Sequence, residues 1–355
     1  MSRSALLVGS LPFSDEEECM RRSLSALGPS LRSLPDGEIG DKTPRFPRGN
    51  RGAWVMSAVE MLTADTEGWR IVTSAERDAE DGLATDYTHI QKLAPRRPPA
   101  AMADTVHFGY DRYFRKSYEA FKEIRRERGL GNIKFQVGVP TGFALGLAFA
   151  SKLDWIRYTG AMNTVIAREV DAILQEAGDD VVIQVEVPPE IYAAHALPAP
   201  LLGLALRPIV DLLGKIQRPA EIGVHLCLGD FRNEALVHPK TLLKLTAFSN
   251  ALVRAWPERH RLSYVHFPLA EGATPRPVAA AWYAPLARAR LPQGARFVAG
   301  FVHEGRSAAE LRRILAAIEE ARGEQVDIAS SCGLGRRSPE VAERLLAMTA
   351  ELLAA

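Results

Sequence analysis

The sequence is poor in cysteine, carries almost no net charge and contains no long hydrophobic run. Its 355 residues include only Cys19, Cys227 and Cys332, so no disulfide framework can stabilise it. With 44 lysines and arginines against 43 aspartates and glutamates, the net charge is +1, which offers no general attraction for nucleic acid or an acidic membrane. No stretch of about 20 residues is apolar and uncharged, so no transmembrane helix is expected.

The N-terminal residues also do not read as a signal peptide. A short apolar run there is followed by four consecutive acids, Asp15 to Glu18, whereas a signal peptide has a longer apolar core and a small-residue cleavage site. Together with the few cysteines, this pattern favours a reducing compartment. We therefore expect a soluble cytoplasmic protein that binds neither nucleic acid nor membrane.

Short apolar runs typical of β-strands alternate with longer segments of helical spacing, such as 155–176 and 308–321. Strands that are apolar throughout and separated by helices are typical of a parallel sheet covered on both faces. Eight such units predict an α/β fold, a closed (β/α)8 TIM barrel. An open doubly wound sheet is the alternative, but Gly9-Ser10-Leu11-Pro12 stands where its glycine-rich fingerprint would follow the first strand. The eight runs are 5–8, 31–34, 133–139, 181–187, 222–226, 262–267, 296–302 and 326–329.

About a hundred residues between the second and third runs interrupt this alternation. A structureless loop of that length would be unusual, so residues 36–131 are predicted to form an insertion with helices of its own, lying over the top of the barrel. No linker elsewhere indicates a second domain. We predict a single TIM-barrel domain over residues 1–355.

His225 and Cys227 end the fifth run, and Cys332 follows the eighth. Residues i and i+2 of a strand point to the same side, and all strands of a barrel open onto one rim. Zinc prefers imidazole and thiolate, and three protein ligands with one exchangeable position are typical of a catalytic site. We predict a metal site at these three residues, with iron left open. The alternative is that the cysteines are small core residues and the histidine only forms hydrogen bonds.

Acidic residues also follow the predicted strands, at Asp36, Glu38 and Glu186. A glutamate inside an apolar strand is costly to bury unless it is paired, so a ligand ammonium or an arginine is a natural partner for Glu186. Taken singly, a structural salt bridge or a helix cap is the commoner role of such acids. Arg336 and Arg337, after the last run, are suited either to an anionic substrate group or to a solvated turn.

Six short motifs occur in one order along the chain, each near the end of a predicted strand. They are Val8-Gly9-Ser10-Leu11-Pro12, Asp36-Gly37-Glu38, Gly138-Val139-Pro140-Thr141, Ile183-Gln184-Val185-Glu186 with Pro188, His225-Leu226-Cys227, and Ser331-Cys332-Gly333-Leu334. Together they resemble the catalytic, C-terminal barrel of cobalamin-independent methionine synthase, whose superfamily also holds uroporphyrinogen decarboxylase. The resemblance covers nearly the whole chain outside the insertion.

The resemblance implies a zinc ion that binds a thiol substrate as thiolate. It also implies that Ser10, Glu38 and Glu186 hold the amino-acid part of homocysteine. The chain departs from the family pattern at two points. Val187 stands where the family has a glutamate, and the metal-binding glutamate of strand six is replaced, with His266 the nearest candidate for a fourth ligand.

The leading hypothesis is a zinc-dependent methyltransferase that transfers a methyl or alkyl group to a small thiol such as homocysteine, as in methionine biosynthesis. The resemblance extends only to the C-terminal half of the synthase, as in short forms of the family, and we expect a folate or a corrinoid as methyl donor, with a corrinoid protein as a candidate partner. One alternative is a metal-free decarboxylase or lyase, in which Arg32, Arg45 and Arg336 clamp carboxylates and Asp36 moves a proton. Another is a non-catalytic barrel that binds a thiol or a corrinoid.

Overall fold

Parallel strands form a nearly closed barrel at the centre of the molecule. The computed structural model describes residues 3–52 and 55–354. The strands are β1 (Ala5–Leu6), β2 (Ser33–Pro35), β3 (Trp69–Thr73), β4 (Lys92–Pro95), β5 (Lys134–Pro140), β6 (Val181–Glu186), β7 (Glu221–His225), β8 (Arg261–Pro268), β9 (Arg296–Val302) and β10 (Asp327–Ser330). Eight of them pair in the order β1-β10-β9-β8-β7-β6-β5-β2, and a parallel bridge from Ala5 to Leu31 connects the two ends. Each predicted run corresponds to one of these eight strands, so the predicted fold class is confirmed.

Helices surround the barrel. They are α1 (Glu16–Leu27), α2 (Met56–Ala64), α3 (Pro99–Thr105), α4 (Tyr110–Glu127), α5 (Gly142–Leu145), α6 (Lys152–Ala177), α7 (Pro188–Ala196), α8 (Leu202–Lys215), α9 (Leu243–Arg254), α10 (Ala308–Arg322) and α11 (Pro339–Ala354). The outer ring runs α1, α4, α6, α8, α9, α10, α11 and back to α1, and a short 3₁₀ helix at Ala284–Arg288 lies between α9 and α10. None of the helices in the described ranges is long and apolar enough to cross a membrane.

The helix termini explain why these segments begin and end where they do. The Asp15 side chain accepts a hydrogen bond from Glu18 N–H at the start of α1, and Ser307 forms a capping box with Glu310 at the start of α10. Helix α10 ends at Gly323, which adopts the left-handed conformation that favours glycine. These capping groups therefore define where α1 and α10 begin and where α10 ends.

Residues 36–131 contain α2, the antiparallel pair β3–β4, α3 and α4. Helix α4 packs between α1 and α6 as the barrel's second outer helix, with Phe114, Tyr118 and Phe121 against Phe135 of β5. These aromatic side chains of α4 therefore serve to pack the helix against the barrel. Earlier in the segment, Asp81 pairs with Arg232 of the loop after β7. This part of the segment thus reaches the carboxyl ends of the strands.

A chain of hydrogen bonds leads from the barrel interior to its carboxyl end. Tyr264 packs with apolar residues of other strands inside the barrel, and its hydroxyl donates to Gln184 Oε1 at 2.8 Å. Gln184 Nε2 in turn donates to Glu186 Oε1 at 2.9 Å. Because residues 184 and 186 lie on the same face of β6, the strand itself presents Glu186 at the mouth of the barrel.

Candidate metal centre and adjoining cavity

The structure brings His225, Cys227 and Cys332 together at the barrel mouth. One donor atom from each lies within 4.8 Å of the other two. The two sulfurs are 3.6 Å apart, and Cys332 Sγ is 3.5 Å from His225 Nε2. The cysteines are free thiols, since a disulfide requires about 2.05 Å between sulfurs.

These separations match a tetrahedral metal site. With zinc–sulfur bonds of about 2.3 Å and a zinc–nitrogen bond of about 2.0–2.1 Å, tetrahedral angles put two sulfurs about 3.8 Å apart and a sulfur about 3.6 Å from the nitrogen. The observed 3.6 Å and 3.5 Å lie close to both values. The donor set therefore fits zinc in geometry as well as in ligand type.

The turn after β7 places Cys227. The strand ends at His225, and Cys227 N–H donates to His225 O at 2.9 Å, so a tight turn aligns the two side chains where continued strand alternation was predicted. Gly229 N–H then donates to Cys227 Sγ at 3.3 Å. Gly229 has φ of 89°, and a side chain there would meet Leu236 and Tyr87, so glycine is required for this turn.

His266 lies beside His225 and does not join the three-residue group. Its Nε2 faces the carbonyl oxygen of Ser330 at 2.9 Å, and its Nδ1 is 2.7 Å from His225 Nδ1. A carbonyl accepts only, so Nε2 of His266 must carry a proton and donate it. In a neutral ring, Nδ1 of His266 then accepts the N–H of His225. This leaves the Nε2 lone pair of His225 free on the side of Cys332, as a metal ligand requires.

Both ring nitrogens of His266 are thus engaged, contrary to the expected role as fourth ligand. The physical reason is the register of β8. His225 and His266 are paired neighbours in the sheet, so the imidazole of His266 reaches the imidazole of His225 and the backbone of β10. Glu271, the other acid near this strand end, forms ion pairs with Arg276 and, at 2.8 Å, with His238.

The surroundings keep both imidazoles neutral and Cys332 protonated when no cation is present. Burial, with the nearby His266 and Arg336, lowers the pKa of His225 well below its usual range. Burial lowers the pKa of His266 to about 4. The hydrogen bond with Cys227 and burial raise the pKa of the Cys332 thiol well above its usual range. A thiolate at Cys332 therefore needs a bound cation, which is the condition for metal binding.

Glu38 and Glu186, two of the predicted substrate-binding residues, face each other in a cavity that the cysteines also line. A Cβ placed on Gly138 would lie 2.8 Å from an oxygen of Glu38 and 3.0 Å from an oxygen of Glu186, so glycine on β5 leaves the space that both carboxylates occupy. Burial raises the pKa of Glu38. Glu38 also has φ of 56°, a strained conformation for a non-glycine residue that is often found at ligand sites.

Ser10, the third predicted substrate-binding residue, lies in the same cavity beside Arg336. Arg336 donates to Ser10 Oγ at 2.8 Å, and Leu334 N–H donates to Ser10 O at 2.7 Å. The loops after β1 and β10 are therefore joined at the cavity wall. Its charged lining combines the carboxylates of Glu38, Glu186 and Asp230 with the guanidinium of Arg336.

Asp36 has a structural role. It accepts hydrogen bonds from Arg51 at 2.7 Å, Ser117 at 2.8 Å and the backbone N–H of Glu38 at 3.0 Å. Burial opposes its ionisation, but Arg51 and these hydrogen bonds outweigh burial and lower the pKa of Asp36. An acid held ionised in this way is a poor proton donor.

Of the three arginines proposed to clamp carboxylates, the structure places only Arg336 at the cavity. Arg32 donates to Ser4 Oγ at 2.9 Å, and Arg45 pairs with Glu60 at 2.9 Å. The decarboxylase alternative therefore lacks two of the three arginines on which it depended.

Sequence reasoning missed two residues that line the cavity, Asp230 and Tyr87. Asp230 ends the His225–Cys227 motif directly after Gly229, and an acid at a strand end is a signal that could have identified it. Tyr87 lies in the segment before β4, and its hydroxyl accepts a hydrogen bond from Phe231 N–H at 3.0 Å. No spacing pattern in the sequence relates position 87 to position 231.

Comparisons with known proteins agree with this architecture. No protein-family model matches the chain, and no curated protein matches it. A solved structure, a B12-independent methionine synthase from Shewanella sp. W3-18-1 in complex with selenomethionine, is similar over 100% of this chain and 98% of that chain. The TM-score is 0.57 and the sequence identity 13%. At that identity the similarity establishes a related α/β-barrel fold.

Proposed function

We propose that the protein is a zinc-dependent methyltransferase whose acceptor is a small thiol, with homocysteine as the leading candidate. The observation that carries the proposal is the spacing of three donor atoms, from His225, Cys227 and Cys332, which fits a tetrahedral zinc site with one position left for a substrate. The fold shared with a B12-independent methionine synthase supports it.

The chain's own residues would hold the amino-acid part of the acceptor. Glu38 and Glu186 both line the cavity and both approach Gly138, so a ligand ammonium bound beside them would contact the two carboxylates. Arg336, next to Ser10, would bind the carboxylate of the same ligand. The thiol would then reach the cysteine side of the cavity, because both groups of residues line the same space.

A zinc ion at His225, Cys227 and Cys332 would lower the pKa of the substrate thiol, so that the sulfur is a nucleophile at neutral pH. Methyl transfer then forms one sulfur–carbon bond as the bond between the methyl group and its donor breaks. The residues of the cavity position the acceptor for this in-line attack, and positioning supplies much of the rate. The donor is a methylated folate or a methylated corrinoid, the latter free or carried by a corrinoid protein.

Metal analysis of protein purified without an affinity tag tests the metal. We expect about one zinc per chain in the parent protein, loss of zinc in Cys227→Ser and Cys332→Ser, and no loss in Cys19→Ala. Cys19 is a suitable control because it is a buried free thiol in α1 that does not line the cavity. Unaltered zinc content in the Cys227→Ser protein would contradict the proposed site.

A methyl-transfer assay tests the reaction. The zinc-loaded protein is incubated with homocysteine and, in separate reactions, with a methylated folate or a methylated corrinoid, and methionine is measured. We expect methionine with one of these donors and none with the Cys227→Ser variant. If zinc is present at His225, Cys227 and Cys332 but no donor methylates homocysteine or another small thiol, the protein is a binding barrel.

A further inference from the structure

Asp230 is a buried carboxylate beside the candidate metal centre. It follows Gly229 in the loop after β7 and lines the same cavity as Cys227 and Cys332. The residue is 4% exposed. Within residues 3–52 and 55–354, neither of its carboxylate oxygens has a partner at full hydrogen-bonding distance, and its interaction with the Cys332 thiol is a weak one that favours the ionised form.

Such a carboxylate is costly, because a buried polar group without a partner loses its hydration and gains nothing in return. The nearest cations do not satisfy it. Arg336 donates to Ser10 Oγ, and Arg337 donates to Glu304 and to the carbonyl oxygen of Gly272. In the described parts of the chain, no ion pair within 4.0 Å joins Asp230 to either arginine. A cation brought from outside the chain would remove the cost.

Next to Asp230, the candidate metal centre has three protein ligands, whereas a tetrahedral site has four positions. His225, Cys227 and Cys332 supply three donors, while His266 and Glu271 are engaged elsewhere. Two thiolates neutralise a divalent ion, and zinc accepts a carboxylate oxygen at about 2.0–2.2 Å. We propose that Asp230 is the fourth ligand of the metal while no substrate is bound, at the position that a substrate thiolate takes when it binds, so that the resting set is one imidazole, two thiolates and one carboxylate. This inference rests on the proposed zinc site.

The structure also shows what must move. Asp230 is outside the group of three residues whose donor atoms all lie within 4.8 Å of one another, so its carboxylate has to turn toward Cys332 when the metal binds. Gly272 permits a close approach on the other side, because a Cβ there would lie 2.0 Å from Asp230 Oδ1. The turn at Gly229, with its positive φ, leads directly to Asp230 in the lining of the cavity.

Metal affinity measured by competition with a chromophoric chelator tests the assignment. We expect Asp230→Asn and Asp230→Ala to weaken zinc binding by about tenfold or more, since changes next to a metal ligand already cost about 10–100-fold. Glu38→Gln is the matched control. It removes a carboxylate from the same cavity, so it reports any general effect of charge, and its zinc affinity should equal that of the parent protein.

The visible spectrum of the cobalt(II)-substituted proteins gives a second readout that does not depend on activity. The ligand-field bands should shift in Asp230→Asn, because one oxygen ligand is exchanged, and stay unchanged in Glu38→Gln. If the parent protein binds zinc and cobalt while Asp230→Asn has the same affinity and spectrum, Asp230 is not a ligand and the proposed function still stands. If the parent protein binds no metal, the proposed function fails together with this inference.

Discussion

Two buried aspartates, one after β2 and one after β7, have the same exposure and opposite surroundings. Asp36 and Asp230 are each 4% exposed. Asp36 is held by Arg51, Ser117 and a backbone N–H, and its pKa is lowered. Asp230 has no such partner in the described part of the chain, and burial raises its pKa to about 6. Groups of the protein hold the carboxylate of Asp36 in its ionised form. The carboxylate of Asp230 is left to pair with a bound cation.

The largest effect that tests this contrast is expected from Asp36→Asn. Removing the charge leaves the guanidinium of Arg51 buried without a counter-ion, and breaking a buried ion pair on one side costs about 3–5 kcal/mol. Urea unfolding at pH 7 should show a loss of that order. The stability that Asp36 contributes is present above its unfolded pKa and is lost as pH falls through its lowered folded pKa. A loss below about 1 kcal/mol would mean that Asp36 is not the structural carboxylate described here.

In metal-free protein, Asp230→Asn should change the free energy of unfolding in the opposite direction and make the fold more stable. A carboxyl whose pKa rises on folding binds its proton more tightly in the folded state, so folding loses stability as pH rises from about 4 to about 6. The variant avoids this loss, and we expect a gain of about 3 kcal/mol in the free energy of unfolding at pH 8 that disappears at pH 4. Urea unfolding in the presence of a chelator measures both values. Equal destabilisation at the two pH values would contradict the unpartnered carboxylate.

The spacing of apolar residues in the sequence predicts most of the fold. It does not predict the contrast between the two aspartates. The eight strands are apolar runs in a parallel sheet, so their carboxyl ends must share one rim. That rule alone predicted that His225 and Cys332, over a hundred residues apart, would meet. The assignment of Glu38 and Glu186 to one substrate-binding group came from the resemblance to the methionine synthase barrel and not from this rule.

The partners of a side chain at the rim are set by loop geometry, which has no sequence period. The sequence therefore did not distinguish Asp36, which pairs with Arg51, from an acid that moves a proton. It also did not indicate that the register of β7 and β8 directs His266 at His225, because a one-residue shift in pairing would turn that imidazole away. Asp230 was missed for the same reason.

His266 is a third buried polar side chain for this comparison. Like Asp36 it has hydrogen-bonding partners for its polar atoms, but one of them is His225, a candidate metal ligand. His266→Phe removes the acceptor for His225 Nδ1–H and frees that ring to change tautomer. We expect zinc affinity to fall by about tenfold. Competition with a chromophoric chelator would measure the zinc affinity, and circular dichroism would show that the variant is still folded. His260→Phe, another buried histidine that bonds a backbone carbonyl but lies away from the cavity, should leave zinc affinity unchanged.

Glu38 lies two residues from Asp36, yet its pKa is raised, as that of Asp230 is. A substitution at Glu38 has the smallest expected effect of those proposed here. A ligand ammonium favours the ionised form, so homocysteine should bind more tightly as pH rises through the pKa of Glu38 and more weakly below it. Glu38→Gln should raise the KM for homocysteine about fivefold and remove that pH dependence, because Glu186 still contacts the ammonium. A thiol without an amino group corrects for titration of the metal site, and its KM should be the same in both proteins. An equal rise in KM for both thiols would show that Glu38 shapes the cavity and does not bind the ammonium.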